Sequence, residues 1–249
     1  MKKILISLPV YNEARLLKRA VNSILEQTYT NFSLVIVNDG STDNSLEEAN
    51  KFLYDSRVTV VNNEKNSGCF YSKNVGIKFM ESGDFDIYTT HDADDFSQPN
   101  RFEEIVNVFE SNPDIVSVQD FEFRIGNNPP TWYGPPFKPM VNLAHAFFNK
   151  DIFDNLGYYD NTEYSGDEEY WNRINAYCNL NNKINANLEK VLYYAEITDD
   201  NMILRYNDEL RQIYRNKFHL EIKKMYDENN FYRDFFKQED ARIYTWNTW

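Results

Sequence analysis

The sequence has few cysteines: only Cys69 and Cys178 occur among its 249 residues. Two cysteines cannot build the disulfide framework of a secreted scaffold, so we expect a reducing compartment and a cytoplasmic protein. Peripheral attachment to a membrane and, for a viral protein, the host cytoplasm are the alternatives. No stretch reaches the roughly 18 consecutive apolar residues of a membrane span, so we expect no transmembrane segment. The apolar N-terminus meets Asn12, Glu13 and Arg15 almost at once, which favours a first β-strand over a signal peptide.

Positive charge is also scarce, because 26 Lys and Arg residues oppose 39 Asp and Glu residues, for a formal net charge of -13. Nucleic-acid surfaces need clustered cations, so we expect no nucleic-acid partner, and any phosphate handled here should need a metal cation. The three histidines lack a second His or Cys at metal-ligand spacing. The G-x-S-x-G, Walker A and G-x-G-x-x-G patterns are absent, which argues against hydrolase, P-loop and dinucleotide-binding functions.

What the chain does contain is a regular alternation of apolar runs and helical patterns. ILISLPV, FSLVIVND, RVTVVNN and DIYTTHD predict strands, and the segments between them carry apolar residues at helical spacing. This alternation predicts an α/β fold with a mostly parallel central sheet and helices on both faces. We expect one domain over residues 1–198, with halves at 1–110 and 111–198, and a C-terminal helical extension over 199–249.

Polar residues follow three of these predicted strands. In open α/β sheets ligands bind outside the carboxyl ends of the strands, so these groups should converge on one edge. They are Pro9, Tyr11, Asn12 and Glu13 after the first strand, Asp39 to Asp43 after the second, and Asp92, Asp94 and Asp95 after the fourth. The NDGS segment alone is weak evidence, because Asp-Gly is a common turn and Ser, Thr and Asp often cap helices.

The crowded carboxylates of HDADD predict a cation. Asp92 and Asp94 point to the same side of an extended chain, and close carboxylates raise each other's pKa unless a positive charge lies between them. Mn²⁺ or Mg²⁺ prefers such oxygen ligands together with substrate phosphates. The alternative is an acidic turn that caps a helix beginning near Asn100, and spacing alone leaves both open.

Taken together, ILISLPVYNEARLLKRAVNSILEQTYTNFSLVIVNDGSTDNS, NSGCFYSKNVGI and HDADDFSQPNR resemble the successive motifs of family 2 glycosyltransferases. The resemblance implies a GT-A fold with a Rossmann-like nucleotide-binding half and an acceptor-binding half. It also implies a metal-dependent inverting transfer from a nucleotide-diphospho-sugar, with UDP the commonest nucleotide, to a hydroxyl of a glycan or other acceptor. The implied nucleotide-sugar residues are Pro9, Tyr11, Glu13, Asp39, Gly68, Lys73, Asp92 and Ala93, and the implied metal ligands are Asp94 and Asp92.

Within these motifs, Asp39 is expected to face the base, and Asp94 is preferred over Asp92 as the direct metal ligand. Gly68 should allow close backbone approach in a loop that leads into a helix. The family usually carries Arg where this chain has Lys73, and Lys cannot form the planar fork of Arg. A phosphate contact and a solvated helix position therefore both stay open for Lys73.

An inverting transfer also needs a base that takes the acceptor proton. In YSGDEEYWNRI the resemblance places Asp167 at the catalytic position, with Glu168 in reserve, and Gly166 replaces the usual Glu. The alternative is that these carboxylates only complement the helix dipole.

Acceptor candidates are less defined. Trp132 lies in a Pro-rich loop over 126–139 that is long enough for a functional lid. His145 and Trp171 are further candidates, although a satisfied buried histidine and a core tryptophan are common outcomes. Other functions that fit the sequence are a catalytically silent nucleotide- or glycan-binding module and a sugar-1-phosphate nucleotidyltransferase, although the Gly-rich N-terminal loop of the latter is absent. The sugar, the acceptor and the oligomeric state cannot be predicted.

Overall fold

The structure is a computed structural model, and it describes residues 1–81, 83, 85–126, 139–162, 165–197 and 208–232. Most of the predicted lid loop, including Trp132, lies outside the described residues, as does the chain beyond residue 232. The elements of the first half alternate as predicted. They are β1 (Ile4–Val10), α1 (Ala14–Leu25), β2 (Phe32–Asn38), α2 (Ser45–Asn50), β3 (Val58–Asn62), α3 (Cys69–Glu81) and β4 (Ile87–Thr90).

The second half contains longer and less regular elements. They are β5 (Phe96–Ser97), α4 (Arg101–Ser111), β6 (Ile115–Ile125), β7 (Met140–Val141), β8 (Phe147–Asn149), α5 (Asp151–Leu156), α6 (Gly166–Asn181), β9 (Ile184–Glu196) and α7 (Asp208–Glu228). The C-terminal helix α7 agrees with the expected helical extension. Within the part of the chain that the structure describes, no helix is both long and apolar enough to cross a membrane.

All nine described strands form one sheet in the order β3-β2-β1-β4-β8-β6-β9-β5, with β7 paired to β6. The pairs β3-β2, β2-β1 and β1-β4 are parallel, as the alternation predicts, and so is β6-β9. β8 runs antiparallel to both β4 and β6, and β5 and β7 also pair antiparallel. Because β8 is antiparallel to β4, the start of β8 lies beside the end of β4, where HDADD begins.

Helices cover both faces of this sheet. Successive strand residues point to opposite faces, so Ile4 and Ile6 of β1 enter one core and Leu5 enters the other. The first core packs against α1, α2 and α4, and the second packs against α3, α5 and α6. The predicted α/β architecture with helices on both faces is therefore present, and the carboxyl ends of β1, β2 and β4 share one edge.

Candidate active site

The loops after β1 and β2 are bound to each other. The Asn12 side chain accepts hydrogen bonds from the Thr42 N–H at 2.8 Å and the Asp43 N–H at 3.3 Å, and the Asn12 N–H donates to Ser41 Oγ at 3.0 Å. Asn12 adopts a left-handed backbone, with φ of 57°, which Asn tolerates better than most residues. Tyr11, in the loop after β1, is exposed, and Pro9, near the end of β1, is half-buried.

Asp39, at the end of β2, fastens the loop that precedes α3. Its buried carboxylate accepts hydrogen bonds from the Ser67 N–H at 3.0 Å, the Gly68 N–H at 2.8 Å and Asn63 Nδ2 at 2.9 Å. A carboxylate offers about four lone-pair sites, so roughly one remains for a ligand. Gly68 has φ of 98°, a conformation that favours glycine, and no described atom lies within 4 Å of a Cβ added there. The open space is compatible with the expected close approach of a ligand.

Three side chains, two just after β4 and one just before β8, bring potential metal-ligand atoms together. His145 Nε2 lies 3.2 Å from Asp92 Oδ2 and 3.9 Å from Asp95 Oδ2, and the ligand atoms of the three residues all lie within 4.8 Å of one another. This group contains Asp95 and not Asp94, which the sequence favours as the direct metal ligand. Two of its three ligand atoms are carboxylate oxygens, which suit Mn²⁺ and Mg²⁺. Asp95 is also engaged elsewhere, because its carboxylate accepts hydrogen bonds from the Tyr193 hydroxyl at 2.8 Å and the Glu196 N–H at 2.9 Å.

Negative charge accumulates around Asp94. Burial, followed by the charges of Asp92 and Glu13, raises the pKa of the Asp94 carboxyl to about 7. Asp92 behaves in the opposite way: desolvation opposes ionisation, but His145 and Lys73 hold the pKa of Asp92 below its usual range. The ends of β1 and β4 lie together because the two strands pair in parallel, and the crowding of carboxylates there is what a divalent cation would offset.

Of the alternative, an acidic turn that caps a helix beginning near Asn100, the structure contains the helix, but the contacts of Asp92 and Asp95 described above go elsewhere. α4 begins at Arg101, and within the described residues its N-cap Asn100 makes no side-chain cap hydrogen bond. The carboxylates of Asp92 and Asp95 are turned instead toward His145, as described above. The partners of these two carboxylates are therefore side chains and backbone from β9 and the segment just before β8, not the N-terminus of α4.

Arg101 and Tyr193 hold His145 in place, and sequence reasoning missed both. The buried Arg101 donates to the Asp120 carboxylate from Nε at 2.7 Å and Nη2 at 3.0 Å, and to the His145 carbonyl at 3.0 Å. The Tyr193 ring stacks on His145, with centroids 4.5 Å apart, and its hydroxyl accepts the Asp92 N–H at 3.1 Å. His145 itself lies two residues before β8 and not within it. Only the third carboxylate of HDADD, Asp95, hinted at this network.

Lys73 is buried at the site, so the prediction of a solvated helix position is wrong. Lys73 is 3% exposed, and its Nζ atom lies 3.4 Å from the Ala144 carbonyl oxygen. Burial lowers the pKa of Lys73, but the interactions with Cys69, Asp92 and Asp167 outweigh this effect, and the pKa of Lys73 is raised. The ammonium therefore stays charged close to both groups of carboxylates.

Cys69, at the start of α3, lies among the predicted site residues. Burial raises the pKa of its thiol to about 12, and the charges of Asp92, Asp167 and Asp39 add to this effect while Lys73 opposes it. The groups that act on the Cys69 thiol come from the ends of β2 and β4, from α3 and from α6. No sequence pattern singled out Cys69.

The three carboxylates at the start of α6 take different directions, as expected on a helix. Asp167 acts on Lys73 and Cys69 and is half-buried, whereas Glu168 is paired with Arg215 of α7. Glu169 is fully buried and forms an ion pair with Arg173, at 2.7 Å between Nε and Oε1.

The glycine that replaces the family's usual Glu has a steric reason. A Cβ added to Gly166 would lie 2.9 Å from carbons of the Phe70 ring, which is closer than such contacts allow. Of the other acceptor candidates, His145 is buried and engaged as described, and Trp171 is half-buried in α6, one turn after Asp167.

A protein-family model described as "Glycosyl transferase family 2" matches residues 6–167. Among curated proteins, the chain is similar to glycosyltransferase GlyG of Streptococcus pneumoniae serotype 4, with 37% identity over 110 residues, 43% of this chain and 36% of that protein. An uncharacterized glycosyltransferase of Haemophilus influenzae is 29% identical over 153 residues, 60% of this chain and 46% of its own length. The chain therefore spans less than half the length of these relatives.

Solved structures share the fold at low sequence identity. TarS 1-349 of S. aureus in complex with UDP has a TM-score of 0.61 and 20% identity, and the match covers 79% of this chain and 61% of that one. The mannosyltransferase PcManGT from Pyrobaculum calidifontis, in complex with GDP-Man and Mn²⁺, has a TM-score of 0.60 and 18% identity, over 80% and 58% of the two chains.

Proposed function

Because the chain belongs to glycosyl transferase family 2, we propose that it moves a sugar from a nucleotide-diphospho-sugar to an acceptor hydroxyl, with inversion and with help from a divalent cation. The observation that carries this proposal is the cluster where β4 ends: the ligand atoms of Asp92, Asp95 and His145 all lie within 4.8 Å of one another, and the buried Lys73 approaches the Ala144 carbonyl beside them. Carboxylates for a metal and a base, and a buried cation for phosphate, are the groups that such a transfer needs.

In this proposal Asp94 and Asp92 hold Mn²⁺ or Mg²⁺, with His145 beside them as a further ligand. When bound, the ion offsets the negative charge of the departing diphosphate. Asp95 has a positioning role, because Tyr193 and Glu196 already occupy its carboxylate. Residues from the far end of β9 thus fix the turn that carries the ligands.

The nucleoside is proposed to lie against the ends of β1 and β2. The residues proposed to line it there are Pro9, Tyr11, Glu13, Asp39 and Gly68; Ala93, also expected at the donor site, follows β4 and is buried in the core. Asp39 has about one free lone-pair site for the base, and Lys73 supplies positive charge for the diphosphate. UDP is the first nucleotide to test, because TarS was solved with UDP and with UDP-GlcNAc; GDP is the second, because PcManGT was solved with GDP-Man.

The proposed chemistry is a single displacement. Asp167 takes the proton of the acceptor hydroxyl as that oxygen bonds to the anomeric carbon, and the bond from this carbon to the diphosphate oxygen breaks. The nucleoside diphosphate leaves from the opposite face, so the configuration inverts. Glu168 is a poor alternative base, since its charge is paired with Arg215.

Replacement of the base tests the proposal. Asp167→Asn should lower release of nucleoside diphosphate from UDP-GlcNAc or GDP-mannose by about 100-fold or more, which is within the usual contribution of general base catalysis. Binding of the free nucleotide should be unchanged. Lys217→Ala, an exposed change on α7, is the matched control. Unchanged turnover in Asp167→Asn would contradict the assignment of the base, and nucleotide binding without turnover in the unaltered chain would favour a silent binding module.

A further inference from the structure

Two arginines of α7 contact the residues on either side of Asp167. Arg211 Nε donates to Ser165 Oγ at 3.1 Å. Arg215 donates to Glu168 Oε2 from Nε at 2.8 Å and from Nη2 at 2.6 Å. Residues four apart lie on the same face of a helix, so one face of α7 reaches both ends of the turn formed by residues 165–168. We refer to Arg211 and Arg215 as the arginine pair.

The turn that receives these contacts has an unfavourable backbone. Ser165 precedes α6 with φ of 54°, in the left-handed region, and the structure assigns it no side-chain cap hydrogen bond to the helix. A non-glycine residue in this region is strained and persists only where its surroundings enforce it. The Phe70 ring also lies against this turn, close enough that a Cβ added to Gly166 would meet it. The geometry that presents Asp167 therefore depends on its neighbours.

α7 packs against the rest of the molecule through aromatic side chains next to the two arginines. Tyr214 and Phe218 lie on the same helical face and are almost fully buried. The Tyr214 hydroxyl donates to Asp160 Oδ2 at 3.2 Å, which ties α7 to the segment before the turn. Beyond the helix, Phe231 is also buried. Burial of these aromatic side chains holds α7 against the rest of the molecule.

We propose that the arginine pair positions the proposed base: Arg211 and Arg215 hold the turn at 165–168, the start of α6, which carries Asp167. This inference rests on the proposed function, in which Asp167 takes the acceptor proton. α7 lies outside the residues 6–167 that match the family model, so this support is separate from the matched motifs. Pairing with Arg215 also turns Glu168 away from the acceptor.

Hydrogen exchange tests the positioning without any assay of activity. In Arg211→Ala and Arg215→Ala, backbone amides at 166–170 should exchange at least about fivefold faster than in the unaltered protein, because the turn loses its contacts with α7. Lys217→Ala removes an exposed charge of the same helix and should leave these amides unchanged. Glu168→Gln breaks the ion pair from the side of α6 and keeps α7 intact, should the arginine variants fold poorly. Unchanged exchange in Arg215→Ala, or in Glu168→Gln where the arginine variants are unstable, would overturn the inference.

A mutant cycle then connects the arginine pair to Asp167. Arg215→Ala should lower kcat for release of nucleoside diphosphate from UDP-GlcNAc or GDP-mannose about tenfold, with the Kd for the nucleotide unchanged and part of the loss recovered in Arg215→Lys. In an Asp167→Asn background the same change should have little further effect, because residues that act through one group are not additive. Equal losses in both backgrounds would contradict positioning through Asp167. Full turnover by Asp167→Asn alone would contradict the proposed function, while hydrogen exchange still decides the role of α7.

Discussion

Lys73 brings one positive charge into the most acidic part of the molecule. It is buried in α3 with Nζ near the Ala144 carbonyl, and its charge acts on Asp92 and Cys69. A buried ammonium persists only where nearby negative charge offsets its desolvation. The bound diphosphate of a sugar nucleotide would add to that negative charge, so Lys73 has a direct electrostatic reason to favour it.

This role predicts the effect of removing the charge. Lys73→Met keeps the length of the side chain and should weaken binding of the free nucleoside diphosphate by about tenfold or more, as measured by calorimetry. Lys78→Met, at an exposed position of the same helix, is the matched control and should bind normally. Equal affinities for the two variants would show that Lys73 has a structural role only.

At the residue scale, the sequence indicates acidic groups better than their partners. Asp39, Asp92 and Asp94 could be predicted because they follow buried strands, and strand ends meet at one edge of an α/β sheet. Tyr193 could not, since its contact with Asp95 spans 98 residues of sequence and no local pattern reports such a pairing. The burial of Lys73 was missed for the same reason.

At the scale of elements, α6 depends on the contact between Gly166 and Phe70. Helix propensity alone predicts that Gly166→Ala stabilises the protein by up to about 1 kcal/mol. The structure predicts the opposite sign, a loss of about 1–3 kcal/mol, because the new methyl group must displace a buried ring. Chemical denaturation measures the difference in the free energy of unfolding.

The matched control for this prediction is the same substitution in a Phe70→Leu background. The shorter Leu side chain leaves room, so Gly166→Ala should there be neutral or stabilising. A stabilising Gly166→Ala in the unaltered chain would mean that the Phe70 ring does not restrict the start of α6.

Long elements could be predicted from the sequence, and very short ones could not. α4 begins and ends where its apolar periodicity does, at Arg101–Ser111, and β1 and β2 agree with their apolar runs. β5 and β7 contain two residues each, too few for any period, and their pairing depends on neighbours far along the chain. The LAHAFFNKDIFDNLG segment does predict a strand and a short helix, which are β8 and α5, but no local pattern shows that β8 runs antiparallel and brings His145 beside Asp92.

At the scale of the whole molecule, one sheet with a core on each face brings together loops from distant parts of the chain. The ends of β1, β2 and β4 carry the proposed sites for nucleotide and metal, and α6, supported by α7, carries the proposed base. The alternation of strands and helices predicted this edge. It could not predict the acceptor side, because that depends on how the second half folds back along β8 and β9.

The central claim is that this edge binds a nucleoside diphosphate together with a divalent cation. Calorimetric titration with UDP, GDP, CDP and dTDP, each with Mn²⁺ and again with chelator, tests it most directly. We expect one nucleotide to bind, with an affinity that falls at least about tenfold when chelator removes the ion. Failure of all four to bind a folded sample, or binding that chelator leaves unchanged, would contradict the account.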